Sequence, residues 1–372
     1  MSNLFVKPNL DAKKPLSPRQ GLIMLASFPK SGNTWTRLFF YALQSKAREI
    51  DLDHFANNAS KMDAQKDHYA RIYGKDANDL TQDEIGAATP LVQRMIAESN
   101  QGRQLVKTHM ANGEWHGTRT MNFDVIRSAI YILRNPLDVT ASFAAHMNLP
   151  IDQAILNMGK HMNWLAAATP EKQKEAKQVP QLLGSWSQHV SSWSSVPDPR
   201  VTVVRYEDLK KDAVTNFKRM VDAIGMRATR EEVANAVEKT DFAQIQKREK
   251  KQGFKEVIHD NQTFFRSGKS GGWREELTDE QVKLVIRFHA FQMARFDYIP
   301  EDYKEYAQSV MADSQTAKYF ISKAKRERAS AKKNNLVRRK KAGAATARPA
   351  VSLPKVGVAF PSMIKTQFRS GN

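Results

Sequence analysis

Leu22-Ile23-Met24-Leu25-Ala26-Ser27-Phe28-Pro29-Lys30-Ser31-Gly32-Asn33-Thr34-Trp35 reads as a strand, a polar loop and the start of a helix. The apolar run Leu22–Phe28 has the length of one buried strand. Pro29 cannot donate to a sheet ladder and ends it. Gly32 marks a tight turn, and from Thr34 the spacing of TWTRLFFYALQSKA is helical, with Thr34 or Asn33 as the expected cap. A glycine loop between a buried strand and a helix aims backbone N–H groups and the positive end of the helix dipole at one spot. Lys30 adds a full charge there, and Ser31, Asn33 and Thr34 add side-chain donors. The segment therefore reads as a phosphate cradle; the plainer reading is an ordinary strand-to-helix turn with a surface lysine. It is not a Walker A loop, since GxxxxGK[ST] is absent and the lysine precedes the glycine.

The same grammar recurs along the chain. Gln104-Leu105-Val106 runs into Lys107-Thr108-His109, and Ala129–Leu133 runs into Arg134-Asn135-Pro136 and a helix over 137–147. Val201–Val204 runs into Arg205-Tyr206-Glu207-Asp208-Leu209 and a further helix. Short apolar strands alternating with helices predict an α/β fold whose parallel sheet is covered on both faces. Polar residues follow the last apolar residue of each strand, the edge where open α/β sheets bind ligands. Residues 51–100 read as a helical insertion, 281–297 as a long amphipathic helix and 303–315 as a shorter one.

The chain has 372 residues, enough for one large α/β domain or two small ones. With 26% charged and 41% hydrophobic residues it is not disordered throughout. Residues 1–20, with three prolines, read as an extended arm ahead of a domain over 21–320. The net charge is +19, but 321–372 holds 14 Lys and Arg against one acid, Glu327, so most of the excess sits in a tail expected to be mobile. Such a tail suits weak contact with an anionic partner, nucleic acid or membrane, although Phe360 and Phe368 are its only aromatics. Zero cysteines exclude disulfides, thiolate metal sites and a cysteine nucleophile, and fit a reducing, cytoplasmic setting. No apolar run approaches the ~20 residues of a membrane span, and the first residues lack the apolar core of a secretion signal.

PKSGNTW (29–35) resembles the 5′-phosphosulfate loop of the cytosolic-type sulfotransferases, which use 3′-phosphoadenosine 5′-phosphosulfate (PAPS). The likeness continues in the family's order. Lys107-Thr108-His109 looks like its K-T-H, and Arg134 with Ser142 eight residues on is similar to its 3′-phosphate segment. Gly184-Ser185-Trp186, His189-Val190, Trp193 and Tyr206-Glu207-Asp208-Leu209 match further signatures. Thr240-Asp241-Phe242 resembles an adenine-side segment, and Phe264-Phe265-Arg266-Ser267-Gly268 through Trp273-Arg274 resembles the C-terminal clamp. Ser267 and Gly272 depart from it, standing where lysine and aspartate are usual. The family's dimer signature is degraded over Arg274, Thr278 and Lys283, so its homo-oligomer is not carried across.

The resemblance implies a P-loop-like three-layer fold, a central parallel β-sheet flanked by helices. It also implies in-line sulfuryl transfer from PAPS to a hydroxyl or amine, with no metal expected. His109 would be the general base; Lys30 would neutralise the leaving phosphate and Lys107 would sit near the sulfuryl group. Ser31, Gly32, Asn33 and Thr34 would hold the 5′ side, and Trp35 would stack on adenine. Arg134, Ser142, Arg266 and Gly268 would bind the 3′-phosphate, with Tyr206, Thr240, Phe242, Phe264, Phe265 and Ser267 completing the pocket. His146, His161 and His189 read as structural.

Two other classes are set against this reading. A kinase-like phosphotransferase needs an acidic metal ligand at a second strand end, where Arg134 stands. A nucleic-acid or anionic-surface binding protein would rest on the tail. The acceptor stays open among small molecules, glycans and lipids, with residues 51–100 and 145–182 as its expected walls. Phe55, Tyr69, Tyr73, Met147 and Trp164 read equally as acceptor wall or helix packing.

Overall fold

The computed structural model describes residues 15–45, 49–115, 117–161, 164–165, 174–195, 198–257 and 263–314. Residues 1–14 of the expected arm and the whole basic tail lie outside them. The chain divides into two units, Met1–Met311 and Ala312–Asn372.

Five strands form one sheet: β1 (Gly21–Ser27), β2 (Lys61–Met62), β3 (Arg103–Thr108), β4 (Ile126–Leu133) and β5 (Val201–Arg205), in the order β2-β3-β1-β4-β5. Every pairing is parallel. β1 is central, and all seven of its residues are buried. Its alternate side chains serve two cores, as the period of a strand dictates. Ile23 and Leu25 pack with Leu38, Phe39 and Phe40 of the helix Asn33–Gln44 and with Phe217 of Ala213–Ala223. Leu22, Met24 and Ala26 pack on the other face with the helices Gln82–Glu98, Pro136–Met147 and Asp279–Arg295. The three layers predicted from the alternating pattern follow directly: a parallel sheet buried on both faces must be covered on both.

Two local expectations change. The helix after the loop is not capped by Asn33 or Thr34. Its N-cap is Gly32, at φ 107°, with no side-chain cap, and Asn33 is already helical. The Asn33 amide is spent elsewhere, donating to the Leu25 carbonyl at 3.1 Å and to Ser27 Oγ at 3.2 Å. Residues 51–100 are mostly helical, over Leu52–Asn58, Lys66–Tyr73 and Gln82–Glu98, but they also supply β2, the edge strand beside β3. Pairing β2 to β3 brings this segment to the carboxyl edge of the sheet, because its partners there are Val106 and Lys107.

Candidate active site

Parallel pairing places every strand's carboxyl end on one edge. Ala26 pairs with Thr108, Ser27 with Ile132, and Leu133 with Arg205. Neighbouring strands lie about 4.8 Å apart, so the residues that follow them converge. Lys30 follows β1, His109 follows β3, Arg134 follows β4 and Tyr206 follows β5; all four line one cavity of about 930 Å³.

The loop after β1 is built for close approach. Lys30 adopts φ 65° and Gly32 φ 107°, the left-handed region. A Cβ on Gly32 would lie 2.7 Å from the Tyr206 ring, so only glycine lets the two segments meet. The helix that starts at Asn33 has no side-chain cap, and its first N–H groups have no partner within the helix. Ser31 Oγ and Arg134 Nε are buried with no hydrogen-bond partner among the described residues. An orphaned buried donor costs free energy unless something accepts from it. Arg134, Lys30 and the open helix start line the cavity and form a donor set that suits a polyanion, while Ser31 is buried and is not among the lining residues. Thr34 also lines the cavity, and its hydroxyl donates to Glu256 at 3.2 Å.

His109 is held by its ring. Nδ1 lies 2.8 Å from the Ser27 carbonyl oxygen, which can only accept, so Nδ1 carries the proton. Nε2 is then the atom with a lone pair. Burial, reinforced by the neighbouring Lys107 charge, pushes the pKa of this imidazole well below 6.5, so it is neutral near pH 7. Burial lowers Lys107 as well, and Glu256 at 3.9 Å acts against that shift. Lys30, with its ammonium 4.2 Å over the Phe264 ring, is brought down to about 8 by burial and by Arg134.

The nucleotide-side residues are placed less uniformly. Arg134 donates to the Lys30 carbonyl at 3.0 Å and the Lys269 carbonyl at 2.9 Å, and lies over the Tyr206 ring. It braces the loop against the C-terminal segment. Tyr206 Oη donates to the Gly268 carbonyl at 3.0 Å, and Gly268, at φ 58°, packs so tightly on Phe242 that a Cβ would lie 2.4 Å from the ring. Glu249 accepts from the Phe264 and Phe265 amides, fixing that turn. Trp35 meets the Tyr206 and Phe217 rings edge-on. Ser142 and Ser267 line the cavity. Two expected ligands are otherwise engaged: the Arg266 guanidinium is paired with both Glu276 oxygens at 2.7 and 2.8 Å, and the Thr240 hydroxyl bonds carbonyls of its own helix. The Arg266 pair is solvent-exposed, where such pairs hold weakly.

Sequence reasoning missed Arg37 and Glu256, 219 residues apart, which meet in a partly buried ion pair. Burial pushes the Glu256 carboxyl up, but Lys107 and Arg37 outweigh that and hold it at about 2. No spacing signal links them. Glu207 does not cap its helix but accepts from the Asn135 amide and the Tyr298 hydroxyl. Met62, Phe143, Met147 and Leu165 also line the cavity and give it an apolar wall. Phe55 and Tyr69 are fully buried core residues, so of the insertion only Met62 lines the cavity. Among the described residues no cluster of His, Asp and Glu could hold a metal ion, and no helix is long and apolar enough to cross a membrane.

A family model described as "Sulfotransferase domain" matches residues 20–297. Sulfotransferase 2A2 of Rattus norvegicus is 25% identical over 202 residues, 53% of this chain and 66% of that protein, so the match spans just under two thirds of its length. Flavonol 3-sulfotransferase of Flaveria bidentis is 24% identical over 300 residues, 76% of this chain and 84% of that protein. Among solved structures, that of the mouse sulfotransferase SULT7A1 complexed with PAP aligns with a TM-score of 0.49 at 19% identity, covering 81% of this chain and 94% of that one.

Proposed function

The chain belongs to the sulfotransferase domain family, and from that premise we propose that it moves a sulfuryl group from PAPS to a hydroxyl or amine of a small-molecule acceptor. The observation that carries the reading is the convergence of Lys30, Lys107, His109 and Arg134 on one cavity, from the ends of three neighbouring strands. Bound PAPS supplies a sulfuryl group whose bond to the 5′-phosphate breaks as the acceptor atom bonds to sulfur. His109 Nε2 takes the acceptor's proton, since Nδ1 is committed to the Ser27 carbonyl. Lys30 answers the negative charge left on the phosphate, and Lys107, kept in place by Glu256, offers a second cation beside His109. Arg134 Nε and the open helix start bind the anionic groups. The apolar wall from Met62 to Leu165 seats the body of the acceptor and excludes water. A cytoplasmic setting goes with the absence of cysteine.

The test is thermal unfolding with 3′-phosphoadenosine 5′-phosphate (PAP). PAP at saturating concentration is expected to raise Tm by several degrees without magnesium, as binding to the folded state requires. ATP is expected to do little. Stabilisation by ATP alone, and only with magnesium, would move the assignment to a phosphotransferase.

The affinity for PAP should also depend on pH. Lys30 titrates at about 8 in the free protein, and a bound polyanion favours its charged form. Because the phosphates of PAP lose their second proton at about pH 6, binding is expected to be nearly constant from about pH 7 to 8 and to weaken by up to about tenfold per unit above it. Calorimetric titrations from pH 6.5 to 9.5 would show this, and a Lys30→Met variant should lose the alkaline limb.

A further inference from the structure

His109 stands just past the end of β3, in a short irregular stretch over 109–112. Its ring is tied to β1 through Ser27, but the backbone of this stretch is tied to the helix Trp186–Ser194, which begins in a capping box between Ser185 and Gln188. His189 of that helix is fully buried, with Nε2 3.0 Å from the His109 carbonyl oxygen and Nδ1 2.9 Å from Tyr131 Oη. A carbonyl only accepts, so Nε2 carries the His189 proton. Burial holds this imidazole's pKa down at about 4, so the ring is neutral and Nδ1 accepts from the Tyr131 hydroxyl. Every proton in the series is thereby assigned: Tyr131 Oη to His189 Nδ1, and His189 Nε2 to the His109 carbonyl. The same helix bonds the next residues too. Trp193 Nε1 donates to the Met110 carbonyl at 3.0 Å, and Ser192 Oγ accepts from the Asn112 amide at 3.0 Å. Phe28 meets the His189 ring edge-on, and Tyr131 stacks on it.

We propose that His189, its proton kept on Nε2 by the His109 carbonyl and its Nδ1 held by the Tyr131 hydroxyl, is a positioning residue that holds the His109 backbone so that the base keeps its Nδ1–H bond to Ser27 and presents Nε2 to the cavity. The inference rests on the reading of His109 as general base, yet its test needs no turnover. Replace His189 by a side chain that cannot donate, and the His109 carbonyl loses this partner. The stretch then relaxes and the base becomes more hydrated. Around the His109 ring, the groups that bear on its protonation are Lys107 of its own strand, Glu256 of the segment after Phe242–Gln252, and His189.

The experiment is nitrogen-15 NMR titration of the histidine rings in the full chain, with His109 and His189 assigned from His109→Gln and His189→Gln. In the parent protein, His109 is expected as the Nδ1–H tautomer, with a midpoint well below 6.5, and His189 as the Nε2–H tautomer. His189→Met should raise the His109 midpoint by about half a unit or more and mix its tautomers, whereas Tyr131→Phe, which leaves the Nε2–H bond to the carbonyl in place, should move it less. His189→Gln, whose amide can still donate to the carbonyl, should keep the His109 signals close to the parent. Folding is checked by the Tm rise with PAP. If His189→Met folds and leaves the His109 tautomer and midpoint unchanged, or if parent His189 is the Nδ1–H tautomer, the proposal is wrong. Should only the His109→Ala turnover test fail, the base assignment falls while this coupling stands.

Discussion

Replacing His109 by alanine is expected to lower sulfuryl transfer by roughly 10²–10⁴ while leaving PAP affinity within about twofold. The separation follows from the layout. The donors that fit the anion come from the loop after β1 and from Arg134, whereas His109 arrives from β3 with its one available lone pair on Nε2. Alanine removes the proton acceptor and none of the anion donors. Burial keeps the parent imidazole neutral well below pH 6.5, so the rate should be limited by the amount of free base only in acid. The measurement is an acceptor screen with labelled PAPS, read by mass increase, with the alanine variant as the blank. A folded, PAP-binding variant that turned over at the parent rate would remove His109 from the chemistry.

Lys30→Met should affect binding and rate together. The ammonium is half-buried against the Phe264 ring, and its charge is the one the loop directs at the anion. Deleting a preorganised charge of this kind costs on the order of 10²–10³ in turnover. PAP binding should weaken as well, because a charge-assisted contact to phosphate is among the stronger polar interactions. Methionine keeps a long flexible stem at φ 65°, so the backbone cost at this left-handed position is unchanged. Lys30→Arg should recover part of the affinity but less of the rate, since a planar fork cannot occupy a point charge's place. Turnover at saturating PAPS and calorimetry with PAP would measure the two effects separately. Rate and affinity both within about threefold of the parent would show that Lys30 has no part in either.

Much of the site was legible because parallel sheets convert sequence position into spatial position. Each strand's last apolar residue marks the edge, and Lys30, His109, Arg134 and Tyr206 all stand just beyond such a residue. What the sequence alone leaves out shares a cause. The helix cap was misread because Asn33 has the right chemistry for capping but spends its amide on Leu25 and Ser27, contacts that exist only once β1 is in place. The motif of Arg266 suits a phosphate, and the motif alone does not show that Glu276 pairs with both guanidinium arms in the folded chain. His189 is buried, as a structural histidine is, and its bond to the His109 carbonyl joins residues 80 positions apart, which no short window shows.

Local physics therefore settled what a short window contains: a continuous apolar run that must be covered on both faces, a glycine that allows φ 107°, a strand-to-helix turn that collects N–H groups. Those follow from sterics and from burial along a few residues. Protonation and pairing did not. Whether His109 holds its proton on Nδ1, whether Lys30 titrates near 8, and which acid answers Lys107 depend on groups brought together from distant segments into a medium that solvates charge poorly. Electrostatic energies in such a medium are set by distances of a few ångströms between those groups, and only the folded chain has those distances.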